Sequence, residues 1–204
     1  MLRFPSVDLA DNDGLLAIGG DLSPERLELA YRSGIFPWFN DDEPILWWSP
    51  DPRFVLFPKN LKISTSMRKK MRKEEFRFSI NEAFPAVIHA CRMQYRPGQG
   101  GTWITEDMEK AYNRLHELGL AHSAECWRGN ELVGGMYGIL LEKVFSGESM
   151  FSLQSNASKF AFIKYVQHLQ AQGIELIDCQ VHSEHIESLG GVMILRKEFL
   201  KYLK

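Results

Sequence analysis

An α+β fold, with helices packed on the faces of a sheet that contains at least one antiparallel pair, is what this chain predicts. Three observations carry the prediction. The apolar residues follow a helical period over residues 105–119 and then switch to a strand period over 121–145. Gly129-Asn130 lies between two strand-like runs, which is a hairpin signal. A second strong helical pattern over 157–172 is followed by the short apolar strand Leu176-Ile177-Asp178. No internal repeat is visible.

The elements follow in order. The first clear helix has Ser23 as N-cap, Pro24 at its first position, Leu27, Ala30 and Tyr31 on one face, and Gly34 as its stop. Around it, residues 1–53 hold six of the nine prolines and three of the five tryptophans. This texture predicts a small irregular N-terminal domain over 1–56 and a main domain over 57–204. A basic segment comes next, then a helix over 81–92 with Asn81 as its cap. Thr105 caps a stronger helix in which Glu106 and Asp107 complement the dipole. Its apolar stripe is Met108, Ala111, Tyr112, Leu115 and Leu118, and Gly119 ends it. After the strands, the helix over 157–172 turns Phe162, Tyr165, Val166 and Leu169 to one side and stops at Gly173. A short helix over 184–189 and a strand over 192–195 complete the pattern.

Size and composition bound the function. A chain of 204 residues with 45% hydrophobic content can bury one sizeable core. No apolar run approaches the ~20 residues that span a bilayer, and the N-terminus mixes Arg, Asp and Pro with apolar residues, so a soluble cytoplasmic protein without a signal peptide is expected. Cys91, Cys126 and Cys179 are odd in number and far apart, which fits a reducing compartment. The net charge of −2 does not advertise a nucleic-acid partner, but its distribution does. Arg68, Lys69, Lys70, Arg72 and Lys73 place five cations in six residues, with Lys59 and Lys62 upstream. Such a cluster either neutralises phosphates or is a solvated helix face.

Two acidic motifs stand out. A strand through Leu176-Ile177-Asp178-Cys179-Gln180 turns Asp178 and Gln180 to one face, a carboxylate beside an amide. Gly147-Glu148-Ser149-Met150-Phe151-Ser152 again embeds a carboxylate among apolar and small residues. Trp38, Trp47, Trp48 and Trp103 lie in Gly- or Pro-rich connections, either packed or offering faces on which RNA bases stack. Cys179-x-x-His182-x-x-His185 is at most half a metal site. Gly98, Gly100 and Gly101 precede a helix as in a phosphate-binding loop, without the Walker or dinucleotide pattern. The acyl-CoA pattern is also unmet: Gln170-Ala171-Gln172-Gly173-Ile174-Glu175 fails its last position and falls at a helix end, where the dipole repels a pyrophosphate. No cofactor and no metal are expected.

Together these strings resemble the leucyl/phenylalanyl-tRNA-protein transferases of bacteria. The likeness runs through Gly14 to Pro24, Gly34 to Phe39, Trp47 to Arg53, Gly101 to Thr105, Leu132 to Gly138, Gly147 to Ser152, Asn156 to Lys159, Leu176 to Gln180 and Ser188 to Gly190. The resemblance implies a small N-terminal domain on a GNAT-like (N-acetyltransferase-like) domain that uses no acyl-CoA. It implies transfer of Leu, Phe or Met from its tRNA to the α-amino group of a protein beginning with Arg or Lys, which marks that protein for degradation by the N-end rule. The implied roles are Asp178 polarising Gln180, whose carbonyl takes a proton from the amine, or both orienting substrates while the terminal ribose relays the proton. Glu148 is implied as anchor of the acceptor's cation. Met136, Phe145, Met150 and Ile177 are implied as the pocket for the transferred side chain, Trp38 and Trp103 as holders of the 3′ adenosine, and Arg68, Lys69, Lys70, Arg72 and Lys73 as contacts to the tRNA backbone. A monomer without membrane contact is expected. Ser183 departs from the family's usual Asn, and Leu195 from its usual Pro. Two rivals stay in view: a conventional acyl-CoA enzyme, disfavoured by the missing pyrophosphate loop, and an RNA-binding module, which leaves Glu148, Asp178 and Gln180 without a task.

Overall fold

A computed structural model describes residues 2–94 and 104–204. The elements run β1 (Leu15–Ile18), α1 (Pro24–Arg32), β2 (Phe36–Pro37), β3 (Leu46–Trp48), β4 (Arg53–Leu56), α2 (Thr65–Arg72), β5 (Arg77–Ile80) and α3 (Phe84–Met93). They continue with α4 (Glu106–Glu117), β6 (Ala121–Arg128), β7 (Glu131–Leu141), β8 (Val144–Ser152), α5 (Ala157–Ala171), β9 (Leu176–Asp178), α6 (Glu184–Glu187), β10 (Val192–Ile194) and α7 (Arg196–Phe199). A three-stranded antiparallel sheet has the order β1-β3-β2, and a seven-stranded sheet has the order β10-β4-β9-β8-β7-β6-β5. In the larger sheet every pair is antiparallel except β8 with β9. This is the α+β arrangement expected, a mixed sheet with helices on its faces.

Strand alternation divides the core between the two faces of the larger sheet. Tyr137 packs with Leu27, Tyr31, Trp47, Phe84, Met108 and Tyr112, so α1, α3, α4 and the smaller sheet cover one face. Its neighbour Met136 packs with Phe145, Phe162, Val166 and Ile177, so α5 covers the other. The N-terminal segment therefore has no core of its own. Residues 53–56, assigned to that segment from sequence, form β4 between β10 and β9 and group with the larger sheet.

Helix ends mostly obey their local chemistry. Thr105 accepts from the Met108 amide, Ser64 caps α2 by accepting from the Met67 amide, and Gly34 leaves α1 with φ +75°. Asn81 is a correction. It has φ +59° and uses its side chain on the Ser123 amide and His122, while α3 begins three residues later with Ala83 as N-cap. Leu118 is a second correction: it is exposed at the C-terminus of α4, not part of the buried stripe.

Candidate active site

The cleft originates in the pairing of β8 and β9. Their parallel ladder holds only for Val144↔Leu176, Phe145↔Ile177 and Ser146↔Asp178. Beyond that point β9 ends, while β8 continues to Ser152 on β7 alone. The gap between the parted chains is a cleft of about 490 Å³, walled by Gly147 to Met150 from β8 and Cys179 to Ser183 after β9. Trp38, Met136, Ser158, Phe162, Ile177, His185 and Ile186 also line it, with Phe36 and Pro37 beside Trp38. A mainly apolar hollow with a few convergent polar groups is the usual form of a ligand site.

A β-bulge places Glu148. Gly147 pairs with Gly138 and Ser149 with Tyr137, so Glu148 is the extra residue on the bulged strand. Gly138 permits this crowding, because a Cβ there would lie 2.1 Å from the Ser146 carbonyl oxygen. Glu148 Oε2 accepts from the Tyr112 hydroxyl at 3.1 Å, and Oε1 accepts from Gln180 Nε2 at 3.0 Å. Tyr31, from α1, hydrogen-bonds Tyr112 through its own hydroxyl. Burial raises the Glu148 carboxyl to about 8, against the lowering effect of the tyrosine hydrogen bonds. Burial likewise pushes Tyr31 and Tyr112 well above the usual tyrosine range, so both stay protonated.

Asp178 sits deeper and is 1% exposed. Its carboxylate receives a bidentate fork from Arg53: Nε to Oδ1 and Nη2 to Oδ2, both 2.7 Å. Oδ2 also accepts from Ser146 Oγ at 3.2 Å, and Oδ1 from the Gln180 backbone amide at 3.0 Å. Gln180 does not continue the strand. It takes φ +58°, and its side chain meets Glu148, so Asp178 engages the main chain of Gln180 and not its carboxamide. The contact that a side-chain relay would use, one of the two roles implied by the resemblance, is absent from this geometry; the other, orientation of the substrates, does not call for it.

The other expected residues divide. Met136, Met150 and Ile177 line the cleft, whereas Phe145 does not; it is fully buried beneath it, edge-on to Tyr165. Phe162 and Ile186 are apolar lining residues that strand and helix periodicity could identify only as core. Trp38 stands at the cleft, 40% exposed, beside Trp48, whose Nε1 donates to the Trp38 carbonyl. Trp47 is core, and Trp103 lies outside the described residues, as do Gly98, Gly100 and Gly101. Arg68, Lys69 and Lys70 lie on α2, with Arg72 ending it and Lys73 as its C-cap. All but Lys70 are exposed. Lys70 donates to the Ser155 carbonyl, which ties this helix to the loop leading to Ser158 on the cleft wall. The Cys179 thiol meets the Ile177 carbonyl and His182 meets Glu187; among the described residues no group of three or more metal-ligating side chains occurs.

Comparison with known proteins decides the family. The description "Leucyl/phenylalanyl-tRNA protein transferase" matches residues 55–204, and that of its N-terminal domain matches residues 20–51. The chain belongs to this family. Its similarity to named members is high along the whole length. A leucyl/phenylalanyl-tRNA-protein transferase of Christiangramia forsetii is 57% identical over 98% of this chain and 96% of its own. One of Flavobacterium johnsoniae is 56% identical over 100% and 96%. Among solved structures, the chain is similar to a GCN5-related N-acetyltransferase-like protein from Streptococcus suis, with a TM-score of 0.42 and 11% identity over 79% of this chain and 59% of that one. No helix among the described residues is long and apolar enough to cross a membrane.

Proposed function

We propose that this cleft moves Leu, Phe or Met from an aminoacyl-tRNA to the α-amino group of a protein beginning with Arg or Lys, and so marks that protein for degradation by the N-end rule. As a member of its family the chain is an aminoacyltransferase. The observation that carries the finer reading is Glu148, a carboxylate hydrogen-bonded to Gln180 at 3.0 Å on the wall of an apolar cleft. A carboxylate so placed anchors a cationic side chain by a charge-assisted pair, and leaves an uncharged acceptor side chain without a partner.

Met136, Met150 and Ile177, joined by Phe162 and Ile186, receive the transferred side chain. Flexible thioethers and a flat ring accept Leu, Phe and Met alike, because one methylene changes binding by only ~1–3 kcal/mol. Trp38 and Trp103 hold the 3′ adenosine by stacking, and Arg68, Lys69, Lys70, Arg72 and Lys73 take the tRNA backbone, whose phosphates carry shape but not sequence. The chemistry needs little more than placement. An aminoacyl ester is already activated, and an α-amino group titrates at ~7.7–8.0. The amine nitrogen attacks the ester carbonyl, the new C–N bond forms, and the C–O bond to the ribose breaks. Gln180 accepts a hydrogen bond from the attacking amine, and the displaced ribose oxygen takes the proton. The protein works as a monomer.

The test is labelled Leu-tRNA or Phe-tRNA with peptides beginning in Arg, Lys or Met, with and without ribonuclease. Label should pass to the Arg and Lys peptides only, and only while the RNA is intact. Glu148→Gln should lower transfer to Arg peptides at least about tenfold and narrow their lead over Met peptides, as loss of a charge-assisted pair predicts. An unchanged lead would remove Glu148 from the acceptor's site.

A further inference from the structure

The ion pair between Arg53 and Asp178 contains more than its local chemistry requires. Arg53 is 1% exposed, and its guanidinium lies between two ring faces, 4.8 Å from the Phe36 centroid and 4.7 Å from that of Phe199. Its third nitrogen, Nη1, donates to the Gly34 carbonyl at 3.2 Å. β2, the α1 stop and α7 therefore converge on one side chain. A buried ion pair is seldom the most stabilising choice for its volume, so geometric specificity is the property to examine.

That geometry leads to Gln180. An ionised carboxylate has about four lone-pair sites. On Asp178 they meet four donors: two from Arg53, one from Ser146 and one from the Gln180 amide. Asp178 thus has no site left for a substrate proton. What it does hold is the backbone of Gln180 in the left-handed region, where a non-glycine residue needs outside support. The strand that carries Arg53 grips the same turn directly. The Phe54 amide donates to the Gln180 carbonyl at 3.2 Å, and the Phe54 carbonyl accepts from the Cys179 amide at 2.9 Å.

We propose that Arg53 is a positioning residue for transfer: it acts through Asp178 to hold the Gln180 turn, so that the carboxamide faces Glu148 in the cleft. The inference rests on the reading that this cleft performs aminoacyl transfer. Arg53 touches no substrate. By occupying the Asp178 carboxylate it leaves that group an orienting task and no proton-accepting one.

The experiment is a double-mutant cycle on the full chain, with Arg53→Lys crossed against Gln180→Ala. Lysine keeps the charge but has neither the planar fork nor the stacking face. Arg53→Lys should lower kcat at least about tenfold, with KM for the Arg peptide and for Leu-tRNA within about twofold, as misplacement of a reacting group does. In the Gln180→Ala background the same substitution should lower kcat less than about twofold, because its target is gone. A merely structural role predicts the same fall in both backgrounds, and that outcome overturns the proposal, as does an unchanged kcat. Should Arg53→Lys not fold, Asp178→Asn crossed with Gln180→Ala reads the same coupling. Absence of transfer by the wild-type chain overturns the functional reading, and this proposal with it; transfer with independent effects overturns this proposal alone.

Discussion

At Glu148, desolvation and hydrogen bonding oppose one another, and desolvation is the larger effect, since the carboxyl is raised from its ordinary 4.5 to about 8. The folded chain therefore binds this proton more tightly than the unfolded chain. The sign follows: the stabilising contribution is complete below about pH 4.5 and is lost as pH rises through about 8. Because the carboxylate opens onto the cleft, water screens part of the effect. Glu148→Gln should flatten the fall in thermal midpoint across that window, and an identical pH profile in the variant would contradict the assignment. The same residue should release a proton when a cationic acceptor binds near pH 7, since the cation favours the charged form. Titration of an Arg peptide in buffers of different ionisation enthalpy reads that release directly.

A bulge and a splay decide where the functional groups can meet. β8 and β9 share three register pairs and then part, and the bulge at Glu148 lies just past the last of them. Gly138 is the residue on which this depends. Gly138→Ala brings a Cβ to 2.1 Å from the Ser146 carbonyl oxygen, so backbone must shift rather than a flexible side chain. The expected cost is about 1–3 kcal/mol or more in urea unfolding, with transfer reduced further because Ser146 and Glu148 flank the displaced segment. Normal stability would show that the bulge accommodates a methyl group. Gly34 has a related double task. Its φ of +75° ends α1, and its carbonyl accepts from both Arg53 and Ser49.

Across the whole molecule, the N-terminal segment and the larger sheet share one buried cluster, in which Trp47, Leu27 and Tyr31 meet Tyr112, Tyr137 and Phe151. Tyr31 also brings the candidate cleft under the influence of that segment, through Tyr112 and its hydrogen bond to Glu148. Two family descriptions match the chain in sequence, yet its packing gives no independent N-terminal core. One cooperative unfolding transition is expected, with tryptophan fluorescence, to which Trp38, Trp47 and Trp48 of the N-terminal segment contribute three of the five fluorophores, coinciding with far-ultraviolet dichroism. Separate midpoints would mean that the two parts unfold independently.

Local chemistry made much of this legible. Ser23, Thr105, Gly34 and Gly173 mark helix ends because caps and left-handed stops act within a few residues, and the hairpin at Gly129-Asn130 is a property of its own turn. The motifs around Glu148 and Asp178 were recognisable as strings for the same reason. What faces what was not. Phe145 and Met136 have the same apolar character in sequence, but only Met136 reaches the cleft, since the parting of β8 from β9 sets the depth of each. Asn81 lost its capping role to a contact with residues some forty positions later. Asp178 meets Arg53, 125 positions earlier, and both of its oxygens are taken up by that fork. The sequence by itself determined the family, the main helices and the acidic motifs, but not the small sheet of the N-terminal segment. Tertiary structure alone decided which lone pairs were already taken, because hydrogen-bond saturation depends on neighbours that only the folded sheet brings within reach.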